Sequence, residues 1–242
     1  MSKNQIKLIN SLKTKKNRFQ HLLFVVEGIK TVHEFLNSNY QLSHLYTTSL
    51  EGYEFIKKKT LILPSEMMKI SQLSTPTKVL ALFEIPPKEL IKTTGLMVAL
   101  DCINDPGNLG TIVRLCDWFG VDQLSCSHNT VDCYNPKTVM ASMGSLSRLS
   151  IVYTDLKKVI ENTKLPVYST TMQGDDIYKT SLPKEGIIIF GNEANGISKE
   201  LLNLSTQRIS IPQAKKEFPT ESINVANAAA IILSEFKRNE LS

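Results

Sequence analysis

Apolar residues along this chain fall into short runs set between polar, turn-forming stretches, and the runs come in two kinds. Ile187-Ile188-Ile189-Phe190 is continuous, with no polar alternation, which is the pattern of a strand covered on both faces of a parallel sheet. Leu96 to Leu100, Val121 to Cys126, Leu149 to Tyr153, Val167 to Thr170 and Gln207 to Ile211 read as further strands. Between them lie helical segments: one through Arg114 to Phe119, one opened by Asn135-Pro136-Lys137, one at Leu156–Glu161 and one beginning near Ser198. Ile223, Ala226, Ala230 and Leu233 recur at helical spacing to about Lys237, with Ser222 as the expected cap.

The first third repeats the alternation on a smaller scale. A basic helix is expected over Ile6 to Arg18, a strand at Leu22–Val26, a helix at Ile29–Leu36 and a strand at His44–Thr48. A helix at Tyr53–Lys58, a strand at Leu61–Leu63, a helix near Met67 and a strand at Val79–Phe83 complete it. Pro86-Pro87 cannot continue a strand ladder and stiffens the connection. The expected organisation is therefore α/β throughout: a small unit over 1–85, a linker over 86–94, and a parallel-sheet unit with helices on both faces over 95–242.

Composition changes this picture little. With 42% hydrophobic and 21% charged residues the 242-residue chain reads as an ordinary globular protein. It has no apolar run of the roughly 18 residues a membrane helix needs, and no secretory-type apolar stretch near its start, so a cytoplasmic location is the expectation. Cys102, Cys116, Cys126 and Cys133 show no metal-ligand spacing and are expected as free thiols, with no metal site. Charge matters more. Lys3, Lys7, Lys13, Lys15, Lys16 and Arg18 occur before any acidic residue, a run that suits either a solvated helix face or a phosphate backbone.

In open α/β sheets ligands bind at the carboxyl ends of strands, so the chemistry should lie in the loops there. Gly107-Asn108-Leu109-Gly110 lacks both the dinucleotide and the P-loop glycine patterns. Arg114, six residues after Asn108, opposes the helix macrodipole, so helix stability does not account for it. Glu193 follows a buried strand, and Ser222 and Asn224 precede a helix. Each alone has an ordinary explanation as a surface pair, a helix-start carboxylate or a cap.

Together these segments resemble the three motifs of the SpoU (TrmH-type) branch of the SPOUT RNA ribose methyltransferases. NLGTIVR (108–114) resembles the first, GNEANGIS (191–198) the second, and Ile211-Pro212 with ESINVANAAA (221–230) the third. NPKTVMASMGSLS (135–147) is similar to the segment between the first two, and FVVEGIKTVHEFL (24–36) to the start of the family's small, ribosomal-protein-like substrate-binding domain.

The resemblance implies a C-terminal domain closed by a deep trefoil knot, S-adenosylmethionine held in it, and a homodimer packed through the knotted region. It places Arg114 on the catalytic arginine, Asn108 on the first-motif asparagine, Glu193 on the second-motif glutamate, and Ser222 and Asn224 on the third-motif pair. Cofactor contacts fall on Thr170, Gly191, Ile211 and Ile223. The implied reaction is in-line transfer of a methyl group to a ribose 2′-hydroxyl, with ribosomal RNA preferred over transfer RNA as substrate. One segment departs from the family pattern: Gln213 to Thr220 is longer, has no glycine and carries Lys215 and Lys216. The other readings are a transfer-RNA methyltransferase, a non-catalytic RNA-binding assembly protein of the same fold, and a nucleotide-cofactor oxidoreductase, which would need a phosphate-cradling loop that the sequence lacks.

Overall fold

The computed structural model describes residues 1–214 and 222–238, which form two compact units. Lys215, Lys216 and Glu221 lie outside the described residues. The first unit comprises residues 1–87 and 132–148, the second 88–131 and 149 onward. Residues 132–148, expected with the second unit, pack with the first.

The first unit begins with α1 (Lys3–Ser11) and α2 (Lys15–His21), two helices where the sequence predicts one. Thr14 accepts from the Asn17 N–H and starts α2, while the Arg18 guanidinium donates to the carbonyls of Leu12 and Lys13 at the end of α1 (2.8 and 2.9 Å). The break is therefore built in by a cap on one side and a cation on the other. Then follow β1 (Leu23–Glu27), α3 (Ile29–Leu36), β2 (Leu42–Thr47), β3 (Lys59–Leu61), α4 (Pro64–Ile70) and β4 (Val79–Glu84).

The sheet order is β1-β4-β2-β3, with β3 parallel to β2 and the other pairs antiparallel. Ile9 and Leu12 join Met67 and Ile70 against Val25, Tyr46, Leu80 and Leu82. Phe24, Phe35 and Phe83 pack ring against ring among the remaining core residues. No helix forms at Tyr53–Lys58. Gly52 sits at φ +80°, and the Lys59 ammonium takes the carbonyls of Glu54 and Ile56 that a helix would have used.

The second unit opens with β5 (Leu96–Leu100), α5 (Pro106–Trp118) and β6 (Gln123–Cys126). The chain then gives α6 (Pro136–Ala141) to the first unit, where Tyr134 stacks on Phe24 at 4.6 Å between ring centroids. It continues as β7 (Ile151–Tyr153), α7 (Leu156–Glu161), β8 (Val167–Asp176), β9 (Gly186–Phe190), α8 (Lys199–Leu204), β10 (Gln207–Ser210) and α9 (Val225–Lys237).

Six parallel strands lie in the order β10-β8-β9-β5-β6-β7. Met97, Ala99, Ile187 and Ile189 meet α7 and α8 through Leu156, Ile160 and Leu201. Residues of the other parity, Val98, Leu100, Ile188 and Phe190, are equally buried on the opposite face. There Tyr168 of β8 meets Phe236 of α9 edge to face, and α9 packs along α5. β5 and β9 pair residue for residue, Leu96 with Gly186 through Leu100 with Phe190, so the loops that follow them emerge side by side.

Candidate active site

Those two loops, together with the start of α9, carry the expected site residues. Asp105 caps α5 by accepting from the Asn108 N–H (2.8 Å), and Pro106 occupies the first turn, where its missing N–H costs nothing. Asn108 therefore stands in the first turn of α5. Its Nδ2 donates to Glu193 Oε1 at 2.9 Å, and its Oδ1 accepts from Asn224 Nδ2 at 2.9 Å. Asn224 in turn turns its own Oδ1 onto the N–H groups of Ala226 and Asn227, at 2.9 and 3.3 Å.

The direction of this chain follows from chemistry. A carboxylate only accepts, so Glu193 fixes which way the Asn108 amide points; Asn108 then presents an oxygen to Asn224, and Asn224 is left with its oxygen for the helix end. The true cap of α9 is Asn224, two residues later than the expected Ser222, because the amide oxygen reaches two backbone donors at once. Ser222 is exposed and makes no hydrogen bond among the described residues.

The loop after β9 is rigid on its own account. Asn192 Nδ2 donates to the Cys102 carbonyl at 2.7 Å, and Asn192 Oδ1 accepts from Ala194 and Asn195 N–H groups, each at 3.0 Å. Asn192 and Gly196 exchange two backbone hydrogen bonds of 2.9 Å. A Cβ at Gly191 would stand 2.2 Å from the Gly196 carbonyl carbon, so only glycine lets the two arms of this loop close. Asp101 holds the far arm by accepting from the Ser198 N–H at 2.8 Å. Cys102, between these contacts, has φ 59°, a left-handed conformation uncommon outside glycine and asparagine. Asn104 adds its N–H to Glu193 Oε2 at 3.4 Å.

Asp101 and Asn104 have no expected role at the site, Cys102 is expected only as a free thiol, and Asn192 enters only as part of the second motif. The signal available was an asparagine after a strand followed by Gly196, the composition of a side-chain-closed turn.

Arg114 is not part of the hydrogen-bonded chain. Six residues after Asn108 on a continuous helix, it sits about 9 Å further along the axis and a third of a turn around. It is exposed and has no hydrogen-bond or ion-pair partner among the described residues. Glu193 thus braces the loop and does not pair with Arg114. The same exposed stripe of α5 carries Thr111 and Trp118, the latter 81% exposed.

Of the remaining expected residues, Thr170 lies within β8, one residue past its pairing with β9, and two others follow the neighbouring strands. The Thr170 hydroxyl donates to the Ile189 carbonyl at 2.9 Å, Gly191 follows β9, and Ile211 follows β10. Ile223, beside the start of α9, is 47% exposed. The Ser169 hydroxyl, one residue before Thr170, is buried with no hydrogen-bond partner among the described residues.

All four cysteines are free thiols, three of them buried, and burial pushes the Cys116 and Cys126 thiols far up. Among the described residues no group of three His, Cys, Asp or Glu side chains is placed to hold a metal ion, and no helix is long and apolar enough to cross a membrane.

Comparison with known proteins bears on both units. The MRM3-like substrate binding domain matches residues 3–81. The 23S rRNA (guanosine(2553)-2′-O)-methyltransferase RlmP of Bacillus subtilis is 29% identical, with 96% of each chain covered. A solved structure of a TrmH-family protein from Porphyromonas gingivalis superposes with a TM-score of 0.90 at 33% identity over 99% of each chain. An AdoMet-bound rRNA methyltransferase from Sinorhizobium meliloti does so at 0.89 and 27% identity, over 99% of this chain and 96% of its own. The SpoU rRNA Methylase family matches residues 95–234, the segment holding β5 through most of α9 and every residue of the Glu193–Asn108–Asn224 chain, and the protein belongs to that family.

Proposed function

We propose that the protein transfers a methyl group from S-adenosylmethionine to a ribose 2′-hydroxyl of ribosomal RNA. The observation that carries this reading is the Glu193–Asn108–Asn224 chain, which fixes three loops of a SpoU-family domain while Arg114 stays exposed beside it without a partner among the described residues. Ribosomal RNA is favoured over transfer RNA because the likeness to RlmP runs through the N-terminal unit as well as the methylase domain.

The strand ends fit the cofactor. Thr170, Gly191, Ile211 and Ile223 combine backbone donors and acceptors with aliphatic side chains, as an adenosine requires, and a Cβ at Gly191 would fill the turn they surround. When bound, S-adenosylmethionine supplies a methyl group already activated on a sulfonium, so the protein's task is positioning. Arg114 presents a guanidinium, a planar fork of donors with no acceptor, so it is no base for the hydroxyl proton. It therefore serves as a fixed positive charge that holds the phosphate next to the target ribose and lowers the hydroxyl's pKa, and the proton passes to phosphate or water. Asn108 and Asn224 keep the start of α5, and with it Arg114, in register with the strand ends. Ser222 stands free to meet the ribose.

The same reading includes a homodimer, for which the 81%-exposed Trp118 beside Arg114 is the supporting observation, and a knotted C-terminal domain.

The test is a pair of measurements on wild type and Arg114→Ala: calorimetric titration with S-adenosylmethionine, and transfer of labelled methyl groups to ribosomal RNA. We expect micromolar cofactor binding in both proteins and a fall in transfer of about a thousandfold in the variant, the size associated with losing a preorganised charge. Loss of cofactor binding in Arg114→Ala would make the arginine structural. Folded wild type that binds no cofactor would move the reading to a non-catalytic assembly protein.

A further inference from the structure

The loop over residues 50–59 of the first unit is braced at four points and yet puts a phenylalanine into solvent. Tyr53 is its anchor, 4% exposed with its ring 5.3 Å from that of His33. The Tyr53 N–H donates to the Leu50 carbonyl at 2.9 Å and the Ile56 N–H to the Tyr53 carbonyl at 3.1 Å. The Lys59 ammonium clamps the carbonyls of Glu54 and Ile56 at 2.8 and 2.7 Å. The Lys58 carbonyl accepts from the Leu45 N–H of β2 at 2.9 Å. Phe55 sits between these fixed points and is 71% exposed.

Lys57 and Lys58 follow it, both exposed, while Glu51 and Glu54 precede it. The charge of Lys58 reaches His44: burial and then this lysine hold the imidazole below its ordinary range. Lysine at a sheet edge discourages strand pairing, which accounts for Lys59 at the start of β3 but not for an exposed phenylalanine.

We propose that this loop is an RNA contact in which Phe55 stacks on an unpaired base while Lys57 and Lys58 neutralise the flanking phosphates. The proposal rests on the RNA methyltransferase reading and names a surface that the reading leaves open. Charge complementarity supports RNA over a protein partner, since residues 1–87 carry twelve Lys and Arg against six Glu and no Asp. Rigidity supports stacking, because a backbone already braced on both sides of Phe55 loses little freedom on binding. Every base offers a flat face, so the contact selects for unstacked bases and tolerates sequence.

The test uses the full chain and two fluorescein-labelled RNA probes, a hairpin with a wide single-stranded loop and a continuous duplex of matching length. Phe55→Ala should weaken hairpin binding about tenfold, within the range for one base–aromatic stack, and leave duplex binding unchanged. Phe55→Trp should restore it. Lys57→Gln combined with Lys58→Gln should flatten the salt dependence of hairpin binding by about 1.4 in logarithmic slope, two phosphate contacts' worth on a single strand. Cofactor titration of each variant checks that the methylase domain is intact. Wild-type hairpin binding left unaltered in Phe55→Ala would overturn the loop contact while leaving the methyltransferase reading in place. A wild type that binds cofactor but neither RNA probe would overturn both the contact and the RNA reading beneath it.

Discussion

Arg18 and Arg114 look alike in the sequence, each a lone arginine on a helix, and the two units use them in opposite ways. Arg18 is 1% exposed and bonded on every side: Nε and Nη2 donate to Asp132 Oδ2 at 2.9 and 2.6 Å, and Nη1 donates to two backbone carbonyls. Arg114 is exposed and has no partner among the described residues. The first spends its charge on holding the fold; the second leaves it facing solvent, where the proposed phosphate contact would need it. What separates them is burial with satisfied hydrogen bonds, and sequence position near a basic run is no guide to it. The carboxylates divide in the same way. Asp132 is 4% exposed and is held by Arg18 and by the Tyr134 N–H, whereas Glu193 is exposed and braces a loop at the strand ends.

The sharpest way to break this comparison is Asp132→Ala. It leaves the Arg18 guanidinium buried without a counter-charge, and removing one partner of a buried pair costs about 3–5 kcal/mol. Urea or thermal unfolding of the variant should show that loss, with residues 132–148 the first to lose hydrogen-exchange protection. Replacing both partners, Arg18→Met with Asp132→Leu, should recover much of it, since a matched apolar pair leaves no charge stranded. A single variant as stable as wild type would show that the pair contributes nothing to the first unit.

How much of this was legible beforehand depends on whether the determining contact is local. β5 runs over Leu96–Leu100, α3 over Ile29–Leu36 and α7 over Leu156–Glu161, as periodicity and continuous apolar runs predict. Those patterns are local, and packing agrees with them. Arg18 belongs to a run that suits either a solvated helix face or a phosphate backbone, and its buried role is hidden because its partner is 114 residues away, so no window of sequence contains both. The same distance hides the membership of residues 132–148 in the first unit.

At the candidate site the residue types were readable from motif resemblance, but their wiring was not. That Glu193 bonds Asn108 and not Arg114, and that Asn224 and not Ser222 caps α9, depends on amide orientation and on loops brought together by the pairing of β5 with β9. The turn at Tyr53–Lys58 was missed because a lysine side chain, not the backbone, satisfies its carbonyls.

Asn108→Ala is the complementary experiment in the second unit, with a smaller effect on folding. Its two side-chain hydrogen bonds are exposed, and exposed bonds of this kind contribute about 0.5–1.5 kcal/mol each at most. Unfolding should therefore shift little, by about 1 kcal/mol. Methyl transfer should fall further, about a hundredfold, because α5 loses its tie to both neighbouring loops and small misplacements are costly to rate. Measured side by side, kcat should drop while the cofactor Kd stays within a few-fold. A stability loss matching that of Asp132→Ala would erase the distinction between the units.

The smallest effect tests whether the first unit's use of charge extends to Glu27. This carboxylate accepts from the Ser71 hydroxyl and the Gln72 N–H, each at 2.7 Å, and so ties the end of β1 to the turn after α4. Burial nevertheless dominates and raises its pKa above the ordinary carboxylate value, the two hydrogen bonds and Lys13 opposing it only in part. Below the unfolded-state pKa the group is protonated in both states and its burial carries no charge penalty. As pH rises through the higher folded value, the native state must hold an ionised group in a poorly hydrated place, and that part of the stability is lost.

Glu27→Gln keeps a donor and an acceptor in the same position without the charge. The variant should therefore match wild type below about pH 4, near the unfolded carboxylate value, and unfold at a slightly higher temperature than wild type at pH 7 to 8. Thermal unfolding across that range reads the difference directly. A variant less stable than wild type at neutral pH would mean that the ionised carboxylate is a net tie, and Glu27 would then stand with Asp132 among the charges that hold the first unit together.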